Sequence, residues 1–125
     1  MIFHEITISD KKELNNEYNK IDILSDVFLN MIYDDKKYEQ IKRNKYIINN
    51  NHIIISYDSK KSLEKAFVNL RNSLLSINSE YKLNSLKFYI EKKDINNILW
   101  CEIKDFINKI FSNTNAEFII YSVKK

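Results

Sequence analysis

Ile2, His4, Ile6 and Ile8 alternate with Phe3, Glu5 and Thr7, and this period of two predicts a strand over 2–8 with one richer face. Asp10 followed by Glu13 forms an acidic variant of the capping box, which predicts a helix start. Leu14, Tyr18, Ile21, Leu24, Phe28, Met31 and Ile32 carry helical spacing onward to residue 34, as one helix or as two broken near Asp22. Residues 35–44 are polar and show no period. The stretch "KYIINNNHIIISY" then predicts a hairpin, two strands around an asparagine turn.

Leu63, Phe67, Leu70, Leu74 and Ile77 form the stripe of the next helix, with Asp58 as its expected cap. Leu86, Phe88 and Ile90 alternate with Lys87, Tyr89 and Glu91 in a further strand. The clearest helix covers 94–111, with Asp94 at its N-cap and Ile95, Leu99, Ile103, Phe106 and Ile110 on one face. "EFIIYSV" is apolar on both faces, as an interior strand is. The order is β-α-β-β-α-β-α-β, and its last portion favours parallel strands joined by crossovers. One α/β domain spanning 1–125 is expected, a mixed sheet of about five strands with helices over at least part of both faces.

Composition changes the picture mainly by exclusion. The chain has no glycine and no proline, and its favoured residues (Lys, Asn, Ile, Tyr, Phe) are those of AT-rich codons. Without glycine there is no phosphate-cradling Gly-rich loop, no dinucleotide-binding fingerprint and no Gly-x-Ser-x-Gly elbow. Left-handed backbone positions are expected to fall to Asn and Asp. Cys101 is the only cysteine, so no intrachain disulfide forms, which fits a reducing compartment. His4 and Glu5 interrupt the apolar stretch that a signal peptide needs, and no run approaches about 20 apolar residues. A soluble, cytoplasmic protein is expected.

Local motifs for chemistry are missing. His4 and His52 are the only histidines and lie far from Cys101 in sequence; no metal site and no cofactor are expected. His4, on the apolar face of its strand, reads as a core residue. Asp58 ends a strand as the phosphoacceptor of a receiver domain does, but such a domain also needs an acidic pair after its first strand. Only Asp10 stands there. No catalytic activity is expected.

The remaining lead is a set of lysine doublets. Lys11 and Lys12 follow the first strand, Lys60 and Lys61 the third, Lys92 and Lys93 the fourth, while Lys124 and Lys125 follow the last. If these strands run parallel, every doublet falls at the carboxyl edge of the sheet, where open α/β folds bind ligands. A lysine in a first helical turn opposes the helix dipole, at about 0.3–1 kcal/mol. The bland alternative is a solvated rim whose charges Asp10, Asp58, Glu91 and Asp94 offset.

A second lead lies on the helix at 94–111, where Trp100, Ile107 and Phe111 group at the flank beside Lys104. Exposed, Trp100 and Phe111 would anchor a partner protein or a second copy of the chain; covered, they are core. These readings together predict a non-catalytic, partner-occupying module of inhibitor, immunity or regulatory type. It would engage an acidic partner through Lys11, Lys12, Lys60, Lys61, Lys92, Lys93, Trp100 and Phe111. The alternative is a sequence-tolerant nucleic-acid binder, because lysines interleave with Tyr33, Tyr38, Tyr46 and Tyr57.

Overall fold

β-Branched and aromatic residues at alternate positions make pleated surfaces that pack well on one another, and they build six strands among the described residues. The computed structural model describes residues 1–14, 18–25, 45–49, 51–76, 86–92 and 97–124. Its elements are β1 (Ile2–Ile8), β2 (Asn19–Ser25), β3 (Tyr46–Asn49), β4 (His52–Tyr57), α1 (Lys60–Leu75), β5 (Lys87–Glu91), α2 (Asn97–Phe111) and β6 (Glu117–Val123). A 3₁₀ turn at Lys11–Glu13 follows β1. The strands form one sheet in the order β1-β6-β5-β2-β4-β3. β1, β6, β5, β2 and β4 run parallel, and β3 pairs antiparallel with β4 as the predicted hairpin. The α/β class and the mixed sheet are as expected, with one strand more.

That extra strand corrects the expected first helix. Asn19–Ser25 is not helical; it lies inside the sheet between β5 and β4. Ile21, Leu24 and Tyr18 fit a helical stripe, but Ile21 and Ile23 also fit a period of two, and sheet pairing on both sides selected the latter. Long-range hydrogen bonds outweigh a weak local preference. The helix at Asp10 stops after one 3₁₀ turn, although its capping box is complete: Asp10 accepts from the Lys12 N–H, and Glu13 accepts from the Asp10 N–H. Phe28, Met31 and Ile32 lie outside the described residues, as do Ile77, the proposed cap Asp94 and Ile95 of the apolar face that follows it.

Side chains at odd positions of β2 and β4 and even positions of β5 and β6 share one face. Ile21, Ile53, Ile55, Phe88, Ile90, Phe118 and Ile120 stand there, and α1 and α2 pack on them through Leu63, Phe67, Leu70, Ile103 and Ile107. Burying each such side chain stabilises by about 1.5–3 kcal/mol. Among the described residues both α-helices cover this one face, where helices on both faces were expected. The opposite face carries a smaller cluster, Ile8, Tyr89 and Tyr121, against which Leu14 and Tyr18 pack. Tyr18 stacks on Tyr89 at 4.6 Å, and its hydroxyl donates to Glu117. β6 is interior, as its two apolar faces predicted.

Two local expectations are corrected. The cap of α1 is Ser59 rather than Asp58: Ser59 Oγ accepts from the Ser62 N–H, and Ser62 Oγ accepts from the Ser59 and Asp58 N–H groups. Among the described residues the left-handed position belongs to Lys45 (φ 68) instead of Asn or Asp. Its carbonyl accepts from the Ser56 N–H, so pairing at the base of the hairpin holds a conformation that costs a non-glycine residue about 1–2 kcal/mol.

Candidate functional site

Because five strands run parallel, their carboxyl ends share one edge. Reading across it in spatial order, Lys11 and Lys12 follow β1, Lys124 follows β6, Lys92 follows β5, and Lys60 and Lys61 open α1 after β4. Neighbouring strands are spaced about 4.8 Å apart, so the row from β1 to β4 spans roughly 19 Å. Lys93 and Lys125 lie outside the described residues.

The row is only partly neutralised. Lys11 pairs with Glu91 at 3.5 Å and Lys60 with Glu102 at 3.3 Å, while the Lys92 ammonium lies over the Trp100 ring at 5.5 Å. Lys12, Lys61 and Lys124 are exposed and have no ion-pair partner among the described residues. The nearby acids are committed to backbone and hydroxyl donors. Asp10 and Glu13 accept from N–H groups, and a hydrogen bond from Ser62 holds the Asp58 carboxyl below its ordinary value. Asp58 therefore stays charged beside the start of α1, which answers the dipole that Lys60 and Lys61 oppose.

Beside the row lies a cleft of about 250 Å³ lined by Glu5, Thr7, Ser122 and Lys92, with Ile6 and Ile120 at its sides. Lys104 of α2 reaches Glu5 at 2.7 Å. That hydrogen bond is the main reason the Glu5 carboxyl sits below its usual range and the Lys104 ammonium above its own. The pair is largely exposed, so its contribution to stability is small.

The structure removes the aromatic flank from the binding surface. Trp100 is 4% exposed and Phe111 is 2% exposed, both inside the main core. They correct the expected exposed anchor: α2 lies with that flank over β5 and β6, and Phe111 meets Phe118 edge-on at 5.0 Å. The tyrosines offered for base stacking fare similarly. Tyr46 is 6% exposed with its hydroxyl bonded to Ser73, and Tyr57 packs half-buried against the core. Tyr33 and Tyr38 lie outside the described residues. His4, expected in the core, is exposed, because β1 is an edge strand.

One arrangement escaped the sequence reading. On the face opposite the helices, His52 Nε2 lies 2.5 Å from Asp22 Oδ2, and Lys20 Nζ is 3.9 Å from the other oxygen. A helical stripe through this segment, whole or broken near Asp22, does not bring Asp22 beside β4; the alternation of Ile21 and Ile23 in β2 is the signal that does. An imidazole–carboxylate pair can relay a proton. Among the described residues no group of three His, Cys, Asp or Glu side chains gathers to hold a metal, and Cys101 is exposed and unpaired in disulfide terms. No helix among them is long and apolar enough to cross a membrane.

No protein-family model matches this chain. No curated protein matches it in sequence at a significant level.

Tyr121, near the same edge, gives a measurable electrostatic signature. Burial first, then Glu91 and Asp22, pushes its phenol up to about 12. An unfolded tyrosine ionises near pH 10, at about its reference value. The native state therefore holds this proton longer, and the associated stability is complete below about pH 10 and lost as pH rises toward 12. Urea midpoints should fall over that window, and Tyr121→Phe should flatten the fall. An equally steep decline in the variant would place the effect elsewhere.

Proposed function

We propose that this chain is a non-catalytic binding module that occupies an acidic partner protein through the lysines at the carboxyl edge. The observation that supports it is the convergence of Lys12, Lys61 and Lys124, with Lys92 between them, on one border of a parallel sheet. Lysines distributed at random over a surface would not favour the ends of four of the five parallel strands, and the local carboxylates are already engaged, Asp10 as a cap and Glu91 and Glu102 in ion pairs. With Trp100 and Phe111 in the core, the encounter and much of the affinity rest on charge. Binding is accordingly salt-sensitive, since exposed charges are screened over about 8 Å at physiological ionic strength.

An acidic peptide and a DNA duplex of equal charge, titrated into isotopically labelled protein, test the proposal. The peptide should shift the amides of Lys12, Lys61, Lys92 and Lys124. Reversing three charges (Lys12→Glu, Lys61→Glu, Lys124→Glu) should weaken binding about threefold or more, at about 0.2–1 kcal/mol per exposed charge. Lys87→Glu, at the opposite edge, should change it little. Tighter duplex binding with a steep salt dependence would replace the proposal with the nucleic-acid reading. Amide shifts scattered away from the rim, or none with either probe, would end it.

A further inference from the structure

Ile2 and Ile6 are 53% and 39% exposed, on the edge strand β1, with exposed His4 between them. A soluble surface tolerates single exposed isoleucines, but these stand in one row along a hydrogen-bonding edge. The backbone of β1 divides cleanly. Ile2 N–H donates to the Ala116 carbonyl at 3.0 Å, and the Ile8 carbonyl accepts from the Lys124 N–H at 2.7 Å. In a parallel ladder both groups of a residue point the same way. Even-numbered residues therefore bond β6, and the N–H and C=O groups of Phe3, Glu5 and Thr7 point outward. They have no partner among the described residues.

Proteins ordinarily blunt such an edge with proline, lysine, a bulge or a short strand. β3, at the other edge, is short, only Tyr46–Asn49. Apart from Glu5, whose charge Lys104 answers at 2.7 Å, β1 lacks such devices: it is seven residues long, contains neither proline nor lysine, and keeps unbroken register from Ile2 opposite Glu117 to Ile8 opposite Val123.

We infer that β1 is a self-complementary dimer edge, pairing antiparallel with β1 of a second copy about a two-fold axis at His4. The sequence "IFHEI" at 2–6 carries the register. Centred on His4, Ile2 of each copy faces Ile6 of the other, and His4 faces its own counterpart, all on the face away from the helices. Phe3 of each copy then faces Glu5 of the other. These outward-pointing residues form the hydrogen-bonded pairs, while the isoleucines occupy the closer, non-hydrogen-bonded positions at about 4.5 Å between Cα atoms. Each Glu5 keeps its charge answered within its own copy by Lys104 at 2.7 Å.

The neighbouring register, centred on Glu5, is disfavoured. It sets the two Glu5 carboxylates directly opposite one another and separates Ile2 from Ile6. A slip by one residue turns the exposed isoleucines of one copy onto the wrong face of the other. Pairing β1 with β3 of another copy is heterologous and would propagate without closing. Antiparallel self-pairing closes at two. It also turns the two carboxyl edges to opposite ends of a twelve-stranded sheet, twice the six strands of one copy, so each lysine rim stays open. The inference does not depend on what the rim binds.

Sedimentation velocity of the full chain over about 1–300 µM, followed by cross-linking, tests it. The chain should approach a dimer at the upper end. Ile6→Lys and Ile2→Lys, both at exposed positions, should raise the dimer dissociation constant at least about tenfold while far-UV circular dichroism stays unchanged. In a Cys101→Ser background, His4→Cys should form a disulfide-linked dimer on mild oxidation, since about 4.5 Å between Cα atoms lies within disulfide reach. Glu5→Cys should cross-link poorly. A monomer throughout, a dimer indifferent to both lysine variants, or growth beyond two copies would each overturn the inference. Preferential cross-linking through Glu5→Cys would overturn its register.

Discussion

Trp100→Ala should lower the unfolding free energy by about 3–5 kcal/mol, the range for deleting a large aromatic side chain from a packed core. The indole is 4% exposed among Ile103, Phe106 and the strand residues beneath α2. Its loss leaves a cavity that α2 cannot close without breaking its contact with β5 and β6. It also removes a hydrogen bond that helps keep Glu5 ionised and the ring beneath the Lys92 ammonium. Urea unfolding followed by circular dichroism should show a lower midpoint with an unchanged slope. A shift of less than about 1 kcal/mol would mean that the indole faces solvent, and the exposed-anchor reading of this flank would return.

Phe118→Ala should have an effect of the same size, about 3–5 kcal/mol. Phe118 is fully buried near the start of β6, stacked on Phe88 at 5.0 Å and edge-on to Phe111 at 5.0 Å. The three rings join β5, β6 and α2, so the deletion empties the place where helix and sheet meet. The rings should also be coupled. In a double-mutant cycle with Phe111→Leu, the interaction free energy should reach about 0.5–1.5 kcal/mol beyond area burial. Strict additivity would mean that the two rings pack independently.

Both variants act on the fold, whereas reversing Lys12, Lys61 and Lys124 acts on the surface. Exposed lysines without ion pairs contribute little to stability, so the triple reversal should bind differently while unfolding at nearly the same urea concentration. That separation distinguishes a binding rim from a set of charges that merely keeps the protein soluble.

Much of the architecture follows from local pattern alone. β1, the β3–β4 hairpin, β5 and β6 were each legible because isoleucines and aromatics alternate between turn residues, and α1 and α2 because their apolar positions repeat at helical spacing. The parallel run followed from strands separated by helices, and with it the placing of Lys11, Lys12, Lys60, Lys61, Lys92 and Lys124 at one edge.

What local pattern left open was decided by partners distant in sequence. Around Ile21 the apolar residues satisfy both periods, and only hydrogen bonding to β4 and β5 made the segment a strand. That outcome also created the contact of Asp22 with His52, which no spacing reveals. For Trp100 and Phe111, helical geometry gave a flank but not its neighbour; the position of α2 across the sheet buried both. His4 shares the alternation of a core strand yet stands in solvent, because β1 was placed at an edge. Periodicity specifies which residues share a face. Whether that face is covered depends on the rest of the chain, since burial is a property of the packed layers and of no segment by itself.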